Sequence, residues 1–156
     1  MKDPLTWYVM GKSVRGASHL RMDLPNQDAI HWLPASGVGP PIILGVSDGH
    51  GSPKSFRSQI GSRLAVEQSA WLVQDLLDGQ PDPANLSAVK RTAEDYLPRE
   101  IVRRWQQTVE EHIAENPFTE EELAWLAIQQ GSDARVTVEE NPLLAYGATI
   151  LIVLVT

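Results

Sequence analysis

The stretch GVSDGHGS, residues 45–52, closes the apolar run PPIIL of residues 40–44 and opens onto a long segment of helical character. It sets an acid, a histidine and several glycines into one turn at the end of a strand. Strand side chains alternate, so Ile42, Leu44, Val46 and Asp48 share a face. Asp48 thus sits at the end of a core-facing row, where a carboxylate is costly unless a cation or hydrogen bonds compensate it. Gly49 and Gly51 let a ligand approach the backbone closely.

Upstream, TWYVMGKSV (residues 6–14) and DAIHWL (residues 28–33) carry β-branched and aromatic residues and read as strands. A polar connection joins them, and the Pro- and Gly-rich PASGVGPP forms a turn or hairpin loop before residues 42–48. Downstream, Ser52 can cap a helix with Pro53 at its first position. Phe56, Ile60, Leu64, Trp71 and Leu76 recur at helical spacing up to a stop at Gly79. QPDPAN (residues 80–85) is expected as a loop. A second helix covers residues 86–96, Pro98 breaks or restarts it, and Ile101, Val102, Trp105, Val109 and Ile113 continue the stripe. Thr119 and Glu122 form a capping box for a helix ending at Gly131. Residues 132–142 read as exposed, and residues 143–156 as a buried strand. Strands, a helical block and a further strand indicate an α+β fold with antiparallel pairing, in a single domain over residues 1–156.

Composition narrows the function. The 156 residues carry a net charge of −7, which argues against a broad nucleic-acid-binding face. There is no cysteine, so disulfides, zinc thiolate sites and cysteine nucleophiles are excluded, and a cytoplasmic setting is expected. The longest apolar run, residues 148–155, is too short to cross a bilayer as a helix, so no membrane partner is expected. The chain closes on this apolar run, which suggests a missing neighbouring strand and a fragment or shortened protein.

Asp28 begins the strand before the turn, and antiparallel pairing can bring it to the same sheet end as Asp48. Two carboxylates with the Gly49 carbonyl suit Mg²⁺ or Mn²⁺, and His50 can protonate a leaving alkoxide. Each piece alone has a plainer reading: Asp-Gly makes turns, a lone histidine is often a hydrogen-bonded surface residue, and Asp28 can cap a turn. The stretch is not a P-loop, because the Gly-Lys-Ser/Thr ending is absent.

Three stretches occur together: GxSHxxxxxPNQDA at residues 16–29, ILGVSDGHG at residues 43–51 and YGAT at residues 146–149. In this combination the chain resembles the metal-dependent protein phosphatase 2C family, in its bacterial form. The resemblance implies a β-sandwich of antiparallel sheets flanked by helices, of which this chain would be the N-terminal portion. It implies hydrolysis of phosphoserine and phosphothreonine in phosphoprotein substrates with two Mn²⁺ or Mg²⁺ ions. Asp48 matches the bridging metal ligand, Gly49 the residue whose carbonyl binds one metal, Asp28 the aspartate beside the metals, and His50 the proposed general acid.

The pattern departs in places. Gln27 stands where many members carry Glu. Asp23 stands where the phosphate-binding arginine is usual, which leaves Arg21 as the candidate and Arg15 as a more distant one. The remaining metal-binding aspartates of the family lie beyond YGAT, so the isolated chain is expected to be an incomplete catalyst. The alternative is a shortened pseudophosphatase that acts as a phosphoprotein-binding or regulatory module through an exposed strand. His19 is expected to hold its loop, and the acids at 120–122 to cap a helix.

Overall fold

The structure is a computed structural model and describes residues 6–79 and 85–156. In chain order the elements are β1 (Trp7–Tyr8), α1 (Ala17–Arg21), β2 (Ala29–Leu33), β3 (Val38–Gly39), β4 (Ile42–Ser47), α2 (Ser58–Asp78), α3 (Leu86–Glu115), α4 (Glu120–Gln130), α5 (Ser132–Glu140) and β5 (Leu151–Val155). Single 3₁₀ turns lie at Pro53–Ser55 and Pro142–Tyr146. The class is α+β, as the order of strands and helices indicates. β2, β4 and β5 form an antiparallel sheet with β4 in the middle, and β1 pairs with β3 in a small antiparallel ribbon.

Helix α2 covers one face of the three-stranded sheet, and it is the opposite face from the one expected. Ile43, Gly45 and Ser47 are buried, whereas Val46 and Asp48 are exposed. Gly45 explains the choice: a Cβ there would lie 3.2 Å from the Cβ of Val66 on α2, so the helix settles where the strand has no side chain. On the other face Ile42 is buried and Leu44 half-buried, but Val46 and Asp48 are exposed, so no burial penalty falls on the Asp48 carboxylate.

The helix α2 serves two apolar clusters. Towards the sheet, Ala70, Val73 and Leu77 pack with Leu33, Ile43 and Val89 of α3. Away from it, Leu64 packs with Val109, Leu126, Val138 and Tyr146. Each such fully buried side chain contributes about 1.5–3 kcal/mol relative to exposure. Trp71, expected on the apolar stripe, is instead 51% exposed, and Val102 is 52% exposed. In α2 the buried stripe includes the small residues Gly61, Ser62, Ala65, Ser69 and Ala70.

Several expected boundaries move. The helix α3 runs unbroken through Pro98, held against α2 by Val89 before the proline and Val109 after it. Packing on both sides outweighs the lost backbone bond. The stretch expected as exposed is α5, which buries Ala134 and Val138 one turn apart. The connection before β2 contains the short helix α1, the first strand shrinks to Trp7–Tyr8, and the Pro/Gly loop carries β3. The last strand shortens to β5, preceded by the 3₁₀ turn. It is not buried: Leu151 is 62% exposed, while Ile152 and Leu154 pack inward. Of the expected loop at residues 80–85, only Asn85 lies within the described residues; its side chain accepts from Ala88 N at 3.1 Å and caps α3. The Gly79 stop and the Thr119–Glu122 capping box form, whereas Ser52 and Pro53 open only the 3₁₀ turn Pro53–Ser55, and the helix itself starts at Ser58 after Arg57.

Candidate functional site

Strand pairing builds the site. Ala29 of β2 pairs with Ser47 of β4, so the next residues outward, Asp28 and Asp48, leave the same end of the sheet. Both are exposed. Their backbones are held while their carboxylates take no hydrogen bond from a described protein group. Ser13 Oγ donates to Asp28 O at 3.0 Å, and Asn26 Nδ2 donates to Ser13 Oγ at 2.6 Å. Asp48 N donates to Thr149 Oγ1 at 3.2 Å, and Thr149 N donates to Asp48 O at 2.8 Å.

The residues 146–149 thus continue the pairing of β4 with β5 across the turn. Gly49 and Ala148 form an antiparallel bridge, His50 N donates to Gly147 O at 2.9 Å, and Ser47 Oγ donates to Thr149 O at 2.5 Å. Gly49 lies directly on Gln27; a Cβ would overlap the Gln27 carbonyl oxygen. Ser62 of α2, fully buried, donates to that same carbonyl at 2.5 Å. Gln27, Gly49 and Ala148 are therefore stacked edge to edge. The Gly49 carbonyl accepts no backbone hydrogen bond among the described residues.

His50 is exposed, and its ring lies over Gly147, where a Cβ would sit 2.6 Å from His50 Nδ1. It faces a recess of about 510 Å³ shared with Lys54, Trp105 and Leu143. Arg21 lies in the last turn of α1, exposed and in no ion pair among the described residues. Arg15 is engaged: it donates to Asp23 Oδ1 at 3.0 Å and to His19 O at 3.2 Å. His19 holds its loop, with Nδ1 2.9 Å from Pro25 O. The pairing brings Asp28, Asp48 and Gly49 to one sheet end with His50 beside them. Arg21 stands apart on its own helix.

Sequence reasoning missed the support beneath this turn. Arg57, at the junction of the 3₁₀ turn and α2, is 7% exposed. Its Nε and Nη2 donate to the two carboxylate oxygens of Glu122, each at 2.7 Å. Its Nη1 donates to Asn116 O at 2.6 Å and to the Tyr146 hydroxyl at 2.8 Å, and Nη2 reaches Pro117 O at 3.1 Å. Arg57 N donates to Ala145 O at 2.8 Å. One residue so anchors the start of the YGAT segment to α4. The hydrogen bond to Glu122, above all, raises the Arg57 pKa above the ordinary guanidinium value. Burial pushes the Glu122 carboxyl up, but bonds from Arg57 and from the Thr119 amide outweigh it and leave it below 4.5. Burial also raises the Tyr146 phenol above 10.0 against the pull of Arg57. The capping box revealed Glu122 but not its second task.

Among the described residues no group of three or more His, Asp and Glu side chains is gathered for a metal ion. The oxygen donors that are free and adjacent are the Asp28 and Asp48 carboxylates and the Gly49 carbonyl. That set is hard and incomplete, and it fits a cation such as Mg²⁺ that keeps several waters. No helix among the described residues is long and apolar enough to cross a membrane.

A family model described as "Protein phosphatase 2C" matches residues 15–156. No curated protein and no solved structure matches the chain.

Proposed function

The chain belongs to the protein phosphatase 2C family, and from that premise we propose that its DGHG turn serves metal-dependent hydrolysis of phosphoserine and phosphothreonine in proteins. The observation that carries this reading is the stapling of the turn to YGAT. Backbone bonds on both sides of Gly49 and Ala148 fix the turn, and the carboxylates of Asp28 and Asp48 stay unclaimed by donors among the described residues.

In this proposal Asp28, Asp48 and the Gly49 carbonyl hold Mn²⁺ or Mg²⁺. When bound, the metal supplies positive charge that polarises the phosphoryl group. The chain's own residues do the rest. His50, exposed and seated on Gly147, holds a proton at its imidazole for the departing serine or threonine oxygen. Arg21 meets the phosphoryl oxygens with a planar fork of donors suited to them. The hydrogen bonds between Thr149 and the Asp48 main chain hold that residue, and with it the carboxylate, in place.

A second reading, a phosphoprotein-binding or regulatory module without turnover, is favoured by β5. Its outer edge has no strand partner among the described residues, and Leu151 and Val153 are exposed. The two readings part on one measurement. Mn²⁺ is titrated into the chain by calorimetry, and p-nitrophenyl phosphate hydrolysis is followed with and without the metal, in the native protein and in Asp48→Ala. The hydrolase reading expects metal binding by this chain, and metal-dependent turnover that is weak in this chain and strong in a version extended through the family's remaining metal-binding aspartates, both lost in the variant. Metal binding without turnover even in the extended version supports the module; no metal binding by either refutes the proposed site.

A further inference from the structure

A groove of about 730 Å³ opens between the loop before β2 and helix α4, within the usual size range of ligand sites. Its walls belong to the segments that carry the candidate ligands. Gln27, which immediately precedes Asp28, lines it, and so do Gly51 and Ser52 at the exit of the turn. Three residues of extended chain span about 10 Å at most, so the groove starts within that distance of Asp48.

The floor is apolar, with Leu24, Phe56 and Trp125, and Met22 stands at the edge, 60% exposed. Among the described residues the charged members of the lining are Asp23, Glu121 and Glu122, with no Lys, Arg or His. Arg15 already pairs with Asp23, and Arg57 with Glu122. Glu121 is exposed and in no ion pair among the described residues. Glu121 and Trp125 are four apart on α4 and so share a face.

We infer that the groove receives the polypeptide flanking the phosphorylated residue and selects a large apolar side chain next to a Lys or Arg. The inference rests on the phosphatase reading for the position of the phosphoryl group. The apolar side chain seats on Leu24, Phe56 and Trp125, and the cation meets Glu121. An acidic flanking residue meets the unpaired Glu121 there and is turned away.

The test measures binding of short fluorescent peptides, each made with and without phosphoserine, to the chain with Mn²⁺ present. One peptide carries Leu and Arg beside the serine; its partner carries Leu and Glu. The Arg peptide is expected to bind about tenfold tighter. Glu121→Lys, a change at an exposed position, should erase or reverse that preference, and Trp125→Ala should weaken the Arg peptide about threefold or more. Equal binding of the two peptides, no binding of either, or an unchanged preference in Glu121→Lys would overturn the inference. The unphosphorylated peptides report on the groove alone, and Mn²⁺-dependent p-nitrophenyl phosphate hydrolysis reports on the phosphatase reading alone. Failure of either is therefore visible separately.

Discussion

Arg57 grips Glu122 with two parallel hydrogen bonds of 2.7 Å, from Nε and Nη2 to the two carboxylate oxygens. The arginine side chain is 9% exposed and the glutamate 29%. The same guanidinium holds the Tyr146 hydroxyl and the carbonyls of Asn116 and Pro117. This one pair locks α4, the α3–α4 junction and the YGAT segment into a single arrangement. Removing the carboxylate leaves a buried cation short of its counter-charge.

Glu122→Ala should destabilise the protein by about 3 kcal/mol, the scale expected when one member of a largely buried pair is lost. Glu122→Gln, which keeps one acceptor oxygen, should cost less. Urea unfolding checks both. A change within about 0.5 kcal/mol for Glu122→Ala would mean that the pair is only a surface contact.

The same pair sets an acid dependence. Glu122 titrates below its ordinary 4.5 in the folded protein, so its contribution is present above that value and is lost as pH falls through the lowered folded value. Glu122→Gln should therefore show a flatter fall in the urea midpoint between about pH 6 and about pH 3 than the native chain does. Parallel curves for the two proteins would contradict this. At the other end, Tyr146 titrates above 10.0, so stability should fall as pH rises past that value.

His112 should be found as one tautomer. The Tyr146 hydroxyl accepts from Arg57 Nη1 at 2.8 Å and lies 2.9 Å from His112 Nδ1. Its own proton has no other acceptor among the described residues, so the hydroxyl donates and Nδ1 accepts. Nitrogen NMR of the imidazole should show the proton on Nε2 in the neutral ring. In Tyr146→Phe that preference should relax; a native ring protonated on Nδ1 would refute the assigned direction.

Gly61→Ala should damage the fold out of proportion to one methyl group. A Cβ at Gly61 would overlap the Tyr146 carbonyl oxygen, and both are backbone positions that cannot swing aside. A cost of about 1–3 kcal/mol follows from such overpacking. Gly16→Ala is the control, since nothing lies within 4 Å of its Cβ, and it should stay within about 0.5 kcal/mol. Similar unfolding midpoints for the two variants would show that helix α2 and YGAT can separate cheaply.

Thr149→Val tests whether the hydroxyl matters to the metal candidates. The variant keeps the backbone bond to Asp48 O and loses the acceptor for Asp48 N. The expected stability loss is about 1 kcal/mol. Calorimetric affinity for Mn²⁺ should fall by about tenfold, as for other residues that orient ligands. An unchanged affinity would mean that the backbone bonds alone hold the turn.

The sequence shows the local parts of this molecule more readily than their partners. Strands β2 and β4, the Ser52 and Thr119 caps and the order of motifs follow from period, turn chemistry and capping rules, all of which act over a few residues. Alternation along β4 separates two faces but does not say which one meets a helix. Gly45 carries that information only once Val66 is known to lie opposite. Pro98 reads as a break because the contacts of Val89 and Val109 with α2 are invisible along the chain. Helix α5 is hidden because two small apolar residues, Ala134 and Val138, mark its buried side. Arg57 escapes for the same reason: its bonds to Asn116, Glu122 and Tyr146 span 59, 65 and 89 residues. Of the candidate site, Asp28, Asp48 and Gly49 were legible as a cluster because adjacent antiparallel strands must share their ends.

The unbroken register between β4 and the segment from Gly147 to Val155 constrains length as well as shape. Val46 pairs with Leu151, and in the same register Gly49 pairs with Ala148. Inserting or deleting one residue at Ile150 would reverse which side chains of β5 face α2 or slide Thr149 off Asp48. It could not preserve both relationships. The chain therefore tolerates changes of length far better in the Pro- and Gly-containing turns remote from this seam. Point substitutions in the seam test chemistry, whereas a single-residue deletion there would change the architecture itself.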